Sequence, residues 1–514
     1  MKKIFLILTF QFSILHSFCQ PIIQWETSLG GTIDDEGYSI FQTFDGGYII
    51  AGLSGSNDGD VSGNHGDGDA WIVKIDQSGN ILWQHCYGGT FPDQAMSIIQ
   101  TSDSGYVFAG YSGSTNGDVS GNHGGPDYWV VKLNDTGSIQ WSKCYGGSNQ
   151  DYGASVIQTY DGGYAIVGYS YSTDDEVTNN HGNGDYWVVK LNDTGAIQWQ
   201  RCYGGSGSEI AYSITQASDS GFVIIGNTNS TDGDFTGFNN CGMGIIKTDI
   251  SGNIQWVQCL GSGLGTYGLS VIQTLDGGYA VGGYGGGAFG GWDYLVYKLS
   301  STGTIQWWNS YGGSGDDLGT CIIQNPDGSY VIGGYTSSSD GEVIGHPPNC
   351  TNYWIVKLDT SGSIIWQKYY GGPNADLLNG IIRTNDGGYA MVGSVDANGG
   401  DVTGFHGGSG YDYWVVKLYP DSTTGIDKIS SKNSYISIYP NPSDGNFNLD
   451  YKLPSGKGEL IITDIAGRVL YRMNITGING TQKINIADFV NGIYYWHIIS
   501  GNEIPPNGKI VVLK

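Results

Sequence analysis

The stretch IQWSKCYGGSNQDYGASVIQTYDGGYAIVGYSYS, Ile139 to Ser172, and its continuation HGNGDYWVVKLNDTG, His181 to Gly195, decide the fold. Ala154 to Thr159 is short and rich in strand-forming residues, and Asp161-Gly162-Gly163 then makes a hairpin turn into a second strand, Tyr164 to Gly168. A loop of about 16 residues leads to Tyr186–Leu191, which is read as an alternating strand and carries aromatic and β-branched residues. Asp193-Thr194-Gly195 turns the chain again, into Ile197 to Tyr203. The stretch reads as two hairpins joined by one long loop, hence as four antiparallel strands.

The unit recurs. Trp25, Trp83, Trp141, Trp199, Trp256, Trp307 and Trp366 open similar segments at spacings of 58, 58, 58, 57, 51 and 59 residues. Four antiparallel strands repeated seven times are the signature of a β-propeller. Solenoid repeats are usually shorter and lack this hairpin–hairpin spacing. The chain starts on a lone Trp strand and the last repeat ends on Tyr413 to Leu418; the propellers that these repeats resemble carry the Trp strand outermost, which implies that Ile22 to Ser28 completes the seventh blade. Such closure hides the edges an open ring would expose.

Composition agrees. The 514 residues include 87 glycines, more than twice the usual share of roughly 7%. Aromatic residues make up 13%, a load that a disordered chain does not carry. Charged residues are only 14%, and the formal charge of −26 argues against a nucleic-acid or anionic-membrane partner, because both need clustered cations. Length alone suggests about three domains.

Lys2 and Lys3 precede an apolar run from Ile4 to Leu15 that is too short to span a bilayer, the pattern of a secretory signal over residues 1–19. Ser17 and Cys19 suit cleavage before Gln20; Phe18 disfavours lipidation of Cys19. Cys86, Cys144, Cys202 and Cys259 each follow a repeat tryptophan by three residues, and equivalent positions in separate blades lie too far apart to pair. They are expected to be buried thiols.

After Tyr419 the composition changes. Residues 419–434 form a polar, turn-rich linker, and the tryptophan period stops. SIYPNPSDGNF, Ser437 to Phe447, then TDIAGRVLY, Thr463 to Tyr471, VNGIYYWHI, Val490 to Ile498, and a terminal KIVVLK together resemble the C-terminal sorting domain of type IX secretion. Pro440, Asn441, Pro442, Gly467, Gly492 and Lys514 carry the motifs. The resemblance spans residues 435–514. It implies a small immunoglobulin-like β-sandwich, the type IX machinery as partner, and delivery to the outer-membrane surface of a Gram-negative bacterium or beyond. The repeats themselves, at residues 20–418, resemble the DGGY-type repeats of secreted propellers, which implies a fold and no activity. In the propellers they resemble, the strand entering the DGG turn is innermost and the Trp strand outermost.

That arrangement puts the long loops on one face, where functional residues concentrate. Just before the innermost strands stand Asp35, Asp93, Asp151, Glu209, Asp317 and Asp376, with Thr266 in the fifth copy. A second series, Asp69, Asp127, Asp185, Asp293 and Asp412, precedes the third strands. Converging carboxylates can hold calcium. A residue repeated in nearly every blade more simply caps backbone amides in its turn, and that reading is preferred. No resident cofactor is otherwise expected. His65, His123, His181, His346 and His406 belong to different blades and read as loop histidines bonded to backbone.

The fifth copy breaks the pattern. GGYGGGAFGG, Gly282 to Gly291, shortens the long loop and removes its histidine and first acid. Tyr284, Phe289 and Trp292 would rim the resulting notch and are the ligand candidates. No catalytic residues stand out: no Ser/His/Asp set, GxSxG turn or phosphate loop is present, and no unique carboxylate pair rises above the repeated background. The chain reads as an all-β, monomeric, secreted or surface-displayed binding module for a glycan or a protein. A structural or adhesive surface component is the alternative, and a carbohydrate-active enzyme the more distant one.

Overall fold

A computed structural model describes residues 20–514 apart from 239–240, 262, 264, 288–289, 409, 422–434, 440–442, 444, 453–455, 464–467, 500–506 and 513–514. The signal segment, most of the linker, Phe289, Pro440, Asn441, Pro442, Gly467 and Lys514 lie outside the described residues. The chain divides into two units, with Gln20–Pro420 in one and Asp421–Lys514 in the other.

Among the described residues of the first unit, seven four-stranded antiparallel sheets follow one another. Blade three shows the plan, with Asp151–Gln158, Tyr164–Ser170, Asp185–Leu191 and Ile197–Tyr203 side by side in chain order. Its first hairpin turn depends on Gly162, held at φ +84°, and on Asp161, whose Oδ1 accepts from the Gly163 amide at 3.1 Å and the Thr159 hydroxyl at 2.5 Å. Asp161 does more than turn the chain, because the buried Lys190 ammonium pairs with it at 2.9 Å. Equivalent Lys–Asp pairs recur from Lys74–Asp45 to Lys417–Asp386, the longest at 3.7 Å between Lys357 and Asp327.

Blade one comprises Asp35–Gln42, Tyr48–Ser54, Asp69–Ile75 and Ile81–Tyr87; blade two comprises Asp93–Gln100, Tyr106–Ser112, Asp127–Leu133 and Ile139–Tyr145. Blade four holds Glu209–Gln216, Phe222–Thr228, Met243–Thr248 and Ile254–Leu260; blade five holds Tyr267–Gln273, Tyr279–Gly286, Trp292–Leu299 and Ile305–Tyr311. Blade six is Asp317–Gln324, Tyr330–Thr336, Asn352–Leu358 and Ile364–Tyr370. Blade seven takes three strands from the end of the repeat region, Asp376–Arg383, Tyr389–Val395 and Asp412–Leu418, and its outermost strand from the start, Ile23–Leu29. That N-terminal strand runs antiparallel to Asp412–Leu418, with Leu29 opposite Tyr413 and Ile23 opposite Leu418. The Tyr370 hydroxyl of blade six also donates to the Pro21 carbonyl at 2.7 Å. The first strand of each blade packs on its neighbours' first strands, and blade seven packs on blade one, so the ring closes with the first strands around its axis.

The core lies between blades. Second and third strands are buried along their length because both of their faces meet another sheet. Tyr128, Tyr294, Tyr353 and Tyr413 each pack against the third-strand tryptophan of the next blade, with ring centroids 4.5–4.7 Å apart and planes tilted by 50–57°. Each also donates its hydroxyl to that tryptophan's carbonyl.

Two features differ from the sequence reading. The acids placed before the first and third strands lie within those strands, as their first residues except for Asp293, which follows Trp292; Asp151 paired opposite Ser170 illustrates the rule. Cys86, Cys144 and Cys202 are buried thiols, but Cys259 is bonded to Cys241 of the loop in its own blade. The partner lies in the same blade, so the distance between equivalent positions of separate blades does not bear on this pair.

In the second unit, one sheet pairs Tyr435–Tyr439, Asn446–Lys452 and Asn479–Asn485. The other contains Val469–Thr476, Lys457–Thr463, Gly492–Ile499 and Asn507–Val512. Phe447 and Leu449 of the first sheet share a core with Leu460, Trp496 and Ile498 of the second, making a small sandwich. Gly492 opens the strand whose Tyr494, Trp496 and Ile498 alternate into that core.

Candidate functional site

The long-loop face is organised by carboxylates. Asp151 accepts from the Gly147 amide at 2.8 Å, the Ser172 hydroxyl at 2.9 Å and the Ser170 hydroxyl. Asp35 and Asp93 repeat this set with Gly31, Ser54 and Ser56, and with Gly89, Ser112 and Ser114. Glu209 accepts from Gly205 and Thr228, Asp317 from Gly313 and Ser338, and Asp376 from Gly372 and the Asn352 amide. Each of the six therefore latches the incoming connection to its own blade. All six are fully buried.

The second acid series stands beside the first. A Cβ on Gly146 would lie 2.5 Å from Asp151 Oδ2 and 2.8 Å from Asp127 Oδ1, so only glycine lets the connection pass between them. Asp69, Asp127, Asp185 and Asp412 each accept, through Oδ2, from the amide and the ring Nδ1 of a loop histidine, at 2.6–2.8 Å for the ring. Their Oδ1 atoms are buried and accept no hydrogen bond. The histidines His65, His123, His181 and His406 thus bond to carboxylates rather than to backbone carbonyls; only His346 follows the backbone reading, through Ser338 at 2.8 Å. Burial pushes Asp35 and Asp127 up to about 6 and Asp376 up to about 7, with the neighbouring carboxylates adding to the rise. Among the described residues no group of three or more His, Cys, Asp or Glu side chains is arranged to hold a metal ion.

The fifth blade supplies a different surface. Tyr284 and Trp292 come together at 5.2 Å between ring centroids, and Trp292 is 39% exposed. Tyr267, which the sequence reading missed, completes the group: it pairs opposite Tyr284, stacks on it at 4.8 Å, and approaches Trp292 at 6.0 Å. Its signal was present, since it directly follows the aberrant Thr266. A second group, Tyr111, Tyr152, Tyr169 and Tyr171, stands at the same level of blades two and three, with successive ring centroids 4.8–5.8 Å apart. Tyr212, in the first strand of blade four, stands between the groups, and both Tyr267 and Tyr171 help to raise its pKa. Phenols thus form an arc around the inner rim of the long-loop face. Burial raises the pKa of Tyr111 and Tyr212 to about 12, so the arc carries hydroxyl donors without charge at neutral pH.

Comparison with known proteins adds one assignment. Residues 437–513 match the family described as the secretion system C-terminal sorting domain. The chain is accordingly a secreted or cell-surface protein, a β-propeller delivered by way of its sorting domain. Among the described residues no helix is long and apolar enough to cross a membrane. No curated protein sequence matches the chain. Among solved structures it is similar to PorZ, a surface component of the type IX secretion system of Porphyromonas gingivalis, at 12% identity and a TM-score of 0.44. That similarity covers 95% of this chain and 61% of PorZ, so the chain spans under two thirds of PorZ's length. It is also similar to Sqt1 from Chaetomium thermophilum, at 10% identity and a TM-score of 0.39 over 77% of this chain and all of that one. A third similarity, to BBS1N solved with ARL6DN, has 10% identity and a TM-score of 0.42 over 79% and 98% of the two chains. Similarities at this level carry no argument about function.

Proposed function

We propose that the propeller is an exported binding module of the type IX pathway and that it holds a neutral glycan on the aromatic arc of its long-loop face. The observation that carries this is the Tyr267–Tyr284–Trp292 cluster, a set of flat rings on rigid strands with uncharged hydroxyls beside it. Sugar faces stack on such rings, and phenol hydroxyls supply hydrogen bonds that orient a ligand. The latch carboxylates are engaged by amides and hydroxyls, which favours a binding role over acid–base catalysis. Protein ligands also use exposed Tyr and Trp, and they are the second arm of the test.

A glycan array and a surface pull-down with the purified chain decide between the arms. Binding to neutral glycans that falls at least tenfold in the Tyr284→Ala/Trp292→Ala variant is the expected result. Glycan binding that survives this variant unchanged, or capture of protein alone, overturns the reading.

A further inference from the structure

A second opening lies between blades four and five, and its origin can be traced residue by residue. In five blades the third strand carries a fully buried tryptophan: Trp71, Trp129, Trp187, Trp354 and Trp414. Each indole wedges against the preceding blade, and its N–H donates to the fourth strand, as Trp187 does to Gln200 at 2.9 Å and Trp129 to Ser142 at 2.9 Å. A valine from the long loop, such as Val177 over Trp187, packs in the same cluster. Blade four has Gly244 at the tryptophan position, but Phe235 from its loop fills the space; a Cβ on Gly244 would meet that ring at 2.5 Å.

Blade five has neither device. Leu295 stands at the tryptophan position, and the hairpin closes directly from Gly286 to Trp292, so the segment that carries the valine elsewhere is missing. A cavity of about 300 Å³ results, lined by Leu295, Tyr297, Trp308, Ile305, Thr266 and Cys259 among others. The site is rebuilt rather than merely emptied. Tyr297 replaces a valine, and Trp308 replaces the glutamine, serine or glutamate that elsewhere binds the plugging indole. The two rings stack at 5.8 Å with 17° between their planes, and Trp308 remains 55% exposed.

We propose that this groove is a second carbohydrate subsite, which seats one neutral pyranose ring on Trp308; the choice of a sugar rests on the glycan reading above. A cavity of this size suits a small ligand rather than a peptide segment. None of the described residues that line it carries an ionised side chain, which fits an uncharged ligand on a chain of formal charge −26. The Trp308 face offers stacking area, and Thr266 with the backbone at Gly261 and Gly286 offers polar contacts for hydroxyls.

Calorimetric titration of the mature chain with methyl glucoside, methyl mannoside, methyl galactoside and N-acetylglucosamine tests the subsite, with N-acetyltryptophanamide as the aromatic control. At least one sugar should bind saturably in the millimolar range. Trp308→Ala should weaken that binding at least tenfold. Leu295→Trp, which restores the residue found in five other blades, should abolish it while leaving the protein folded. The Tyr284→Ala/Trp292→Ala variant should leave it intact. No saturable binding by any sugar, tighter binding of the tryptophan amide, or sugar binding that survives Leu295→Trp would each overturn the proposal. An array signal lost only in Tyr284→Ala/Trp292→Ala would sink the groove alone, and one lost only in Leu295→Trp would sink the arc alone.

Discussion

Between blades two and three, Asp151 gathers the Gly147 amide and two serine hydroxyls, Tyr128 rests on Trp187, and Val177 packs with the indole. Between blades four and five, Thr266, Met243 and Leu295 hold the corresponding positions, so these positions supply neither a carboxylate latch nor a tyrosine–tryptophan pair; Thr266 donates to the Gly263 carbonyl instead, and Trp256 meets Tyr279 at 5.9 Å. In their place come a disulfide, a cavity and two groups of partly exposed aromatic rings. The contrast teaches that a closed ring tolerates one weak junction, because the remaining junctions and the strand exchanged with the N-terminus keep its ends in place. A repeat position freed from holding the ring is one that can take on a ligand.

The largest effect should come from the closure itself. Deleting residues 20–31 removes the outer strand of blade seven and exposes a buried sheet edge. The melting temperature followed by circular dichroism should fall by more than about 10 °C. An unchanged value would mean that the latched junctions suffice without the exchanged strand.

At the unlatched junction the disulfide should matter more than any local hydrogen bond. Replacing Cys241 and Cys259 together by serine frees a loop with a sequence separation of 18 and should cost about 3 kcal/mol in urea unfolding. If the loss is negligible, something other than the disulfide secures blade four.

Asp151→Ala leaves several donors without an acceptor in a buried place and should cost about 2 kcal/mol. Asp151→Asn keeps an acceptor and should cost about half of that. Thr266→Ala, at the equivalent position of blade five, should cost about 0.5 kcal/mol or less. Equal losses at residues 151 and 266 would erase the distinction between the two kinds of junction.

Titration gives the comparison a sign. Asp35, Asp127 and Asp376 are raised by burial to about 6, 6 and 7 from a usual value of 3.8, so the folded protein holds protons that the unfolded chain releases. Their contribution to stability is complete below about pH 4 and is lost as the pH climbs toward 7. Asp276, on the opposite face, runs the other way: hydrogen bonds from Thr274 and Lys298 outweigh burial and hold it at about 2, so its contribution is lost only in stronger acid. The melting temperature should therefore be a few degrees higher at pH 5 than at pH 8 and fall again below pH 4. A maximum at pH 8 would show that the latch carboxylates are ionised without penalty.

Chelation should have the smallest effect. With amides and hydroxyls as their partners, the latch acids need no cation, and EDTA should move the melting temperature by less than about 1 °C. A fall of several degrees that calcium reverses would assign Asp35, Asp93, Asp151, Glu209, Asp317 and Asp376 to a metal after all.

The period of the tryptophans, the DGG turns and the aromatic and β-branched residues of DYWVVKL are local signals, and by themselves they determine seven four-stranded repeats; the closure by the N-terminal strand was legible only through the resemblance to known propellers. The motifs around Gly492 likewise mark the sorting domain without any contact map. Those signals act over a few residues, where φ at Gly162 or the aromatic and β-branched residues of Asp185–Leu191 favour one backbone conformation whatever surrounds it. The partners of Asp151 at Ser170 and Ser172, the shift of pKa at Asp376, the pairing of Cys241 with Cys259 and the approach of Tyr267 to Trp292 were decided only by tertiary structure. The cavity left by Leu295 belongs with them, because a missing ring becomes a space only once the neighbouring blade has packed against the place where it would have stood.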